Sequence, residues 1–192
     1  DRVSAPELAV FVSGVASMGL EILAGRMVAP EFGSSIYTWG SIIGVFLAAL
    51  SLGYHYGGKR AARRASVDRL SWLLLGTAAY VALLIFASDP LLAVGSSFPL
   101  PSRFASLPAI TLLFGPPTYL LGFISPYAAE LSDTEAIGEA SGRVYAVGTI
   151  GSILGAFGTT FLLIPTFGVE IISFLFGSLL VVTAFSISLP SI

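Results

Sequence analysis

Glu21 and Arg26 stand inside LEILAGRMVAP, residues 20–30, a run that is otherwise apolar. A carboxyl group there can hold a cation, exchange a proton or, when neutral, donate a hydrogen bond. An ionised carboxylate at the centre of a bilayer costs roughly 3 kcal/mol or more, so it must turn inward and find a partner or hold a proton. At about 100° per residue, Gly14, Ser17, Glu21 and Ala24 share one helical face, which sets Glu21 among small residues. Arg26 falls about 140° away. It is nearer the outer end, where its long stem reaches headgroups or Glu31.

A second feature matches Glu21 in depth. Gly115, Pro116 and Pro117 interrupt the run TLLFGPPTYLLGFISP. Each proline removes a backbone donor and displaces the carbonyl four residues earlier. Pro116 and Glu21 both lie roughly two turns in from the outer ends of their runs. The freed carbonyls, with Thr118 and Tyr119, are then candidate partners for a neutral Glu21. Glu21, Pro116, Pro117, Thr118 and Tyr119 therefore form a candidate midplane polar site. Two readings stay open: a kink with one satisfied polar residue, or the broken-helix device of transporter sites.

Other chemistries find little material. Cysteine is absent and His55 is the one histidine, so thiol catalysis, disulfides and zinc lack their residues. No catalytic residue, metal site or cofactor is expected. Eleven acidic against nine basic residues show no bias toward nucleic acid.

These residues need a frame, and composition supplies it. The chain of 192 residues is 55% hydrophobic and 10% charged, against about 25% charged in soluble domains. Mean hydropathy is +0.91. Six runs, near 7–29, 36–57, 70–94, 108–130, 144–165 and 169–190, are long enough to span a bilayer. They do not alternate like barrel strands. The expected fold is all-α: a polytopic six-helix transmembrane bundle with short loops, one integral membrane domain over 1–192 and no soluble domain. Asp89 and Pro90 are expected to end the regular part of the third run, with the following stretch lying along the outer interface.

Seven of the nine basic residues fall on one side of that arrangement: Arg2, Lys59, Arg60, Arg63, Arg64, Arg69 and Arg143. The bias places both termini in the cytoplasm of a cell-membrane protein. Tyr37, Trp39 and Trp72 sit at run ends, as interfacial or core aromatics. The basic loop 59–69 reads as an anchor that also attracts anionic lipid.

Glycine is patterned. Gly148, Gly151, Gly155 and Gly158 step by three and four residues along the fifth run, and Gly40, Gly44 and Ala48 step by four along the second, with Gly53 and Gly57 following. Such rows permit close helix approach, so the second and fifth runs are expected to be tightly packed inner helices. A lined pathway is the other use of the same rows.

Three blocks, LEILAGRMVAPEFGSSIYTWGSIIGVFLAALSLGYHYGGKRA, LLFGPPTYLLGFISPYAAEL and SGRVYAVGTIGSILGAFGTTFLLIPTFG, occur in that order. Together they resemble the transmembrane region of membrane-integrated spermidine-synthase-like proteins, the transporter–spermidine synthase fusions. The resemblance covers runs 1, 2, 4 and 5. It departs from the family pattern at Gly148, where an asparagine is usual. It implies an adjoining aminopropyltransferase domain with a Rossmann-like fold that binds decarboxylated S-adenosylmethionine and a polyamine. No strand with a GxGxxG turn occurs here, so no catalytic residue is carried over. The chain opens at Asp1 without a methionine, and a trimmed N-terminus or fragment is expected. A cytoplasmic C-terminus would suit a soluble domain after Ile192. The loop GYHYGGKRAARR also resembles the cytoplasmic loop motif of major-facilitator transporters, without its acid.

Two functions follow as expectations. One is a noncatalytic membrane domain that anchors or assembles, with polyamine biosynthesis implied by the resemblance alone. Its partners are the lipid bilayer and another membrane protein, a second copy or a C-terminal soluble domain. The alternative is a transporter-like domain that binds a small cation or polyamine at Glu21 and the broken fourth helix.

Overall fold

The computed structural model describes residues 4–132 and 137–188. Every extended element among them is a helix. Helix α1 (Ala5–Phe32) opens with a reciprocal cap: the Glu7 amide donates to Ser4 Oγ, and the Ser4 amide to Glu7 Oε2. It closes on Gly33, whose φ of 72° suits a residue without a Cβ. Ser35 and Ser66 cap α2 (Ile36–Arg64) and α3 (Val67–Ser96) through their hydroxyls. A 3-10 turn (Ser102–Phe104) leads into α4 (Leu107–Gly122) and the short α5 (Ile124–Glu130). Helix α6 (Ile137–Gly158) widens into one π-helical turn, Thr159–Leu163, just ahead of Pro165. That proline cannot donate to the carbonyl of Phe161. The three-residue α7 (Ile164–Thr166) and α8 (Val169–Ser188) complete the chain.

Six helices are long and apolar enough to cross a membrane, α4 and α5 together counting as one and α6 running on through α7. The molecule is thus an all-α bundle of the multi-pass membrane type. Helix α3 does not stop at Asp89 and Pro90 as expected. It continues to Ser96 with Pro90 inside. A proline removes one donor only, and its ring sits on an exposed face, so the helix passes it. Ser96 and Ser97 then give their hydroxyls to the carbonyls of Ala93 and Val94 where it ends.

The innermost helix is α1. It packs on α6 and α8 and touches α2, α3, α4 and α5 as well. Helices α2 and α3 flank α4, and α3 also lies along α8. The core contains Leu20 and Leu23 of α1, Ile42 and Phe46 of α2, Leu74 and Leu84 of α3, and Leu113 and Phe114 of α4, all fully enclosed. The rings of Phe46 and Phe114 meet at 5.7 Å.

The glycine rows correct the expectation that α2 and α6 are inner helices. Helix α6 is peripheral. Tyr145, Ile153, Leu154 and Phe157 face outward, while its glycines press on α1. A Cβ on Gly151 would meet the carbonyl of Phe11, one on Gly155 the carbonyl of Val15, and one on Gly14 the carbonyl of Gly148. A glycine row is narrow, so it admits one neighbour and leaves the rest of the helix to the surroundings. Gly158 meets nothing within 4 Å. On α2 the close approach is at Gly53, against Tyr119 and Gly122, and at Gly57, against Phe123. Gly40 and Gly44 are exposed and meet nothing within the chain.

Candidate functional site

Pro116 and Pro117 lie inside an unbroken α4. The break comes later, at Phe123, between α4 and α5. Pro116 frees the carbonyl of Leu112, and the hydroxyl of Tyr80 on α3 donates to it. The expected donor was Glu21. Glu21 is half-buried on α1, and neither a hydrogen bond nor an ion pair joins it to residues 115–119 among the described residues. Pro117 is buried and Pro116 exposed. Thr118 is fully enclosed, yet its hydroxyl has no hydrogen-bond partner. Tyr119 packs edge-on against Phe123 at 5.0 Å.

The reason lies in facing rather than depth. Ser13 Oγ donates to the carbonyl of Leu121 at 3.3 Å, which fixes the level of α1 against α4. Moving outward roughly two turns along both helices puts Glu21 opposite Leu113, within about one turn of Pro116. But α4 turns its proline segment toward Tyr80 of α3 and its C-terminal end toward Gly53 of α2.

The Gly14, Ser17 and Glu21 face of α1 looks elsewhere. Gly14 and Ser17 line a half-open cavity of about 130 Å³ among α1, α2, α6 and the α4–α5 junction. Seven hydroxyl side chains line it: Ser13, Ser17, Tyr54, Ser125, Tyr145, Thr149 and Ser152. No charged residue does. Ser17 is buried, and its Oγ has no hydrogen-bond partner. Glu21 follows Ser17 by one turn on the same face of α1 and is not among the residues that line the cavity. A hydroxyl-lined, uncharged hollow of this size accommodates water or a small polar molecule through two-way hydrogen bonding.

Helical spacing puts Ser17 on the face of Glu21, and the cavity has no signature in the local sequence. A hydroxyl on a membrane helix usually bonds the carbonyl a turn earlier. Ser41, Ser71, Thr77, Thr111 and Thr183 do so here. A single Ser or Thr is therefore uninformative, and only the convergence of several helices gives Ser17 its setting.

Most other charges among the described residues sit near the ends of the bundle. Arg26 Nη1 donates to the carbonyl of Ile164 at 3.4 Å, which ties α1 to α7 rather than to Glu31. Arg143 bridges Glu7 of α1 at 3.5 Å and Glu139 of its own helix at 3.6 Å. Lys59, Arg60, Arg63, Arg64 and Arg69 are all exposed around the α2–α3 turn. Lys59 lies over the ring of Tyr56 and Arg60 over that of Phe123, at 5.9 and 5.5 Å.

No protein-family model, curated protein or solved structure matches the chain.

Proposed function

We propose that this chain is a noncatalytic membrane domain, of the kind it resembles in spermidine-synthase-like proteins, that anchors and assembles with a second membrane-embedded chain. The observation that carries this is the row Gly40, Gly44 and Ala48 on α2. All three are exposed, and the two glycines meet nothing within 4 Å. Other glycines of this chain, at 14, 53, 122, 151 and 155, lie against the backbone of a neighbouring helix. A row spaced by four in an apolar helix fits a second helix at close range. Polyamine biosynthesis enters through the resemblance alone.

Crosslinking tests it. The chain has no cysteine, so Gly44→Cys introduces a sole thiol. Oxidation in native membranes should give a crosslinked product of higher mass, and Gly40→Leu in the same background should reduce it. A thiol that stays monomeric and reacts freely with an apolar maleimide would show α2 facing lipid.

By the same proposal both termini are cytoplasmic, as the crowding of basic residues at one end supports. Single cysteines at Ser66 and Ser102 should then label from opposite sides. Labelling of both from one side would overturn the orientation.

The hydroxyl-lined cavity beside Glu21 favours a second reading, a binding domain for a small cation or polyamine. Hydroxyls alone do not neutralise a cation, so this reading needs Glu21 ionised. Calorimetry with spermidine should show binding that Glu21→Gln abolishes. Equal heats for the two proteins would dismiss it.

A further inference from the structure

The basic end of the bundle carries a more specific arrangement than a scatter of surface charge. Arg60, Arg63 and Arg64 end α2, and Arg69 begins α3 after the short link of Ala65 and Ser66. This turn brings the side chains of all four arginines around one open surface hollow of about 370 Å³. Two of the four, Arg60 and Arg69, also wall a second hollow of about 240 Å³, whose remaining lining includes Trp72, Leu73, Gly76, Leu120 and Phe123. The shared walls set the arginine hollow beside a largely apolar groove between α3 and the α4–α5 junction.

We infer that this is a binding site for one anionic phospholipid, its phosphate among the four arginines and an acyl chain along Trp72, Leu73, Gly76 and Leu120.

Three observations carry the inference. First, the described residues contain ion pairs at Arg143 only, so none of the four arginines is joined to a described acid. Gathered like charges call for an anion. Second, a favourable helix dipole accounts for Arg63 and Arg64 in the last turn of α2, but Arg69 stands at the N-terminal end of α3, where a cation is disfavoured and the one acid of the first turn, Asp68, makes no ion pair with it. An anion held at that N-terminus reverses the balance. Third, Arg60 lies over the Phe123 ring at 5.5 Å, which holds its guanidinium where the charged and apolar hollows join. Arginine forks match phosphate oxygens in pairs.

The apolar groove is what selects a lipid over free phosphate. Gly76 lies roughly two turns into α3, at a depth where acyl chains begin, and a phosphate ion would leave this part of the site unused. Trp72, 73% exposed, stands at the boundary between the two parts, where its amphipathic ring suits a headgroup level.

The test uses the whole chain in phosphatidylcholine nanodiscs, with and without phosphatidylglycerol, and follows thermal unfolding and lipid retention by native mass spectrometry. Phosphatidylglycerol should raise the melting temperature and remain bound. Arg60→Gln and Arg69→Gln should each weaken retention about tenfold, as loss of a charge-assisted bond implies. Lys59→Gln removes the same charge beside Tyr56, outside the site, and should leave retention intact. Gly76→Phe fills the groove without altering charge and should also weaken retention, its melting temperature in pure phosphatidylcholine reporting the fold. Equal losses from Lys59→Gln and Arg69→Gln would reduce the effect to diffuse attraction and overturn the site. Full stabilisation by inorganic phosphate, or indifference to Gly76→Phe, would replace the lipid with a simple anion.

Discussion

Along α6, Gly148, Gly151 and Gly155 lie so close to α1 that an added Cβ at Gly151 or Gly155 meets a backbone carbonyl, while along α2 Gly40 and Gly44 look into open space. The two rows have nearly the same spacing in the sequence. They differ in what the rest of the chain can bring to them. Helix α1 supplies Gly14 opposite Gly148, so two backbones approach from both sides. The close backbone approach of α4 and its junction with α5 to α2 comes at Gly53 and Gly57, roughly one and a half to two and a half turns beyond Ala48. A row of small residues states how closely a helix can be approached. It does not state which helix arrives, or whether that helix belongs to the same chain.

The largest expected effect breaks the filled row. Gly151→Leu or Gly155→Leu drives a branched side chain into the carbonyl of Phe11 or Val15, and the backbone must separate. Overpacking of this kind costs about 3 kcal/mol or more. Thermal unfolding in detergent should show a large fall in melting temperature or no folded protein. Gly40→Leu and Gly44→Leu should change the monomer by less than about 0.5 kcal/mol, as surface substitutions do. Equal damage at both rows would remove the contrast and place an intramolecular partner on α2.

A middle-sized effect sharpens the same contrast at the prolines. Tyr80→Phe removes the donor from the part-buried carbonyl that Pro116 frees, and stranding it costs about 1 kcal/mol. Glu21→Gln should cost less, because nothing in the described hydrogen bonding depends on the carboxyl group. If Glu21→Gln is the more damaging change, Glu21 rather than Tyr80 supports α4.

These outcomes bear on what sequence alone could deliver. Hydropathy located six spans because bilayer thickness imposes length directly. It missed the extension of α3 past Pro90, since a proline weakens a helix without having to end it. Counting residues in from the span ends assigns Glu21 and Pro116 one level, because the rise per residue is fixed. Facing was not legible at that level. Tyr80 is 32 residues from the carbonyl it serves, and nothing in the local pattern of α4 names α3 as its neighbour. The arginine hollow was half legible. The charges of the loop were plain, but the groove beneath them needs the α4–α5 junction in place.

The smallest effect concerns Ser13 and Ser17, two hydroxyls one turn apart on α1 that both line the same cavity. Ser13 donates to Leu121 at 3.3 Å, and Ser17 has no partner. Ser13→Ala removes a donor that joins α1 to α4, and such bonds within membranes average about 0.6 kcal/mol. Ser17→Ala removes a buried hydroxyl that bonds nothing in the chain. Its loss relieves a desolvated polar atom and sets the small loss of packing against that gain. The net change should therefore be smaller than for Ser13→Ala, and its sign can favour the variant. Paired melts of the two proteins in one detergent measure the difference. A cost for Ser17→Ala equal to or above that for Ser13→Ala would mean that its hydroxyl is hydrogen-bonded to something held in the cavity. Water held there gives the same cost, so the cation-binding reading takes precedence over the assembly domain only if spermidine also raises the melting temperature and Glu21→Gln removes that rise.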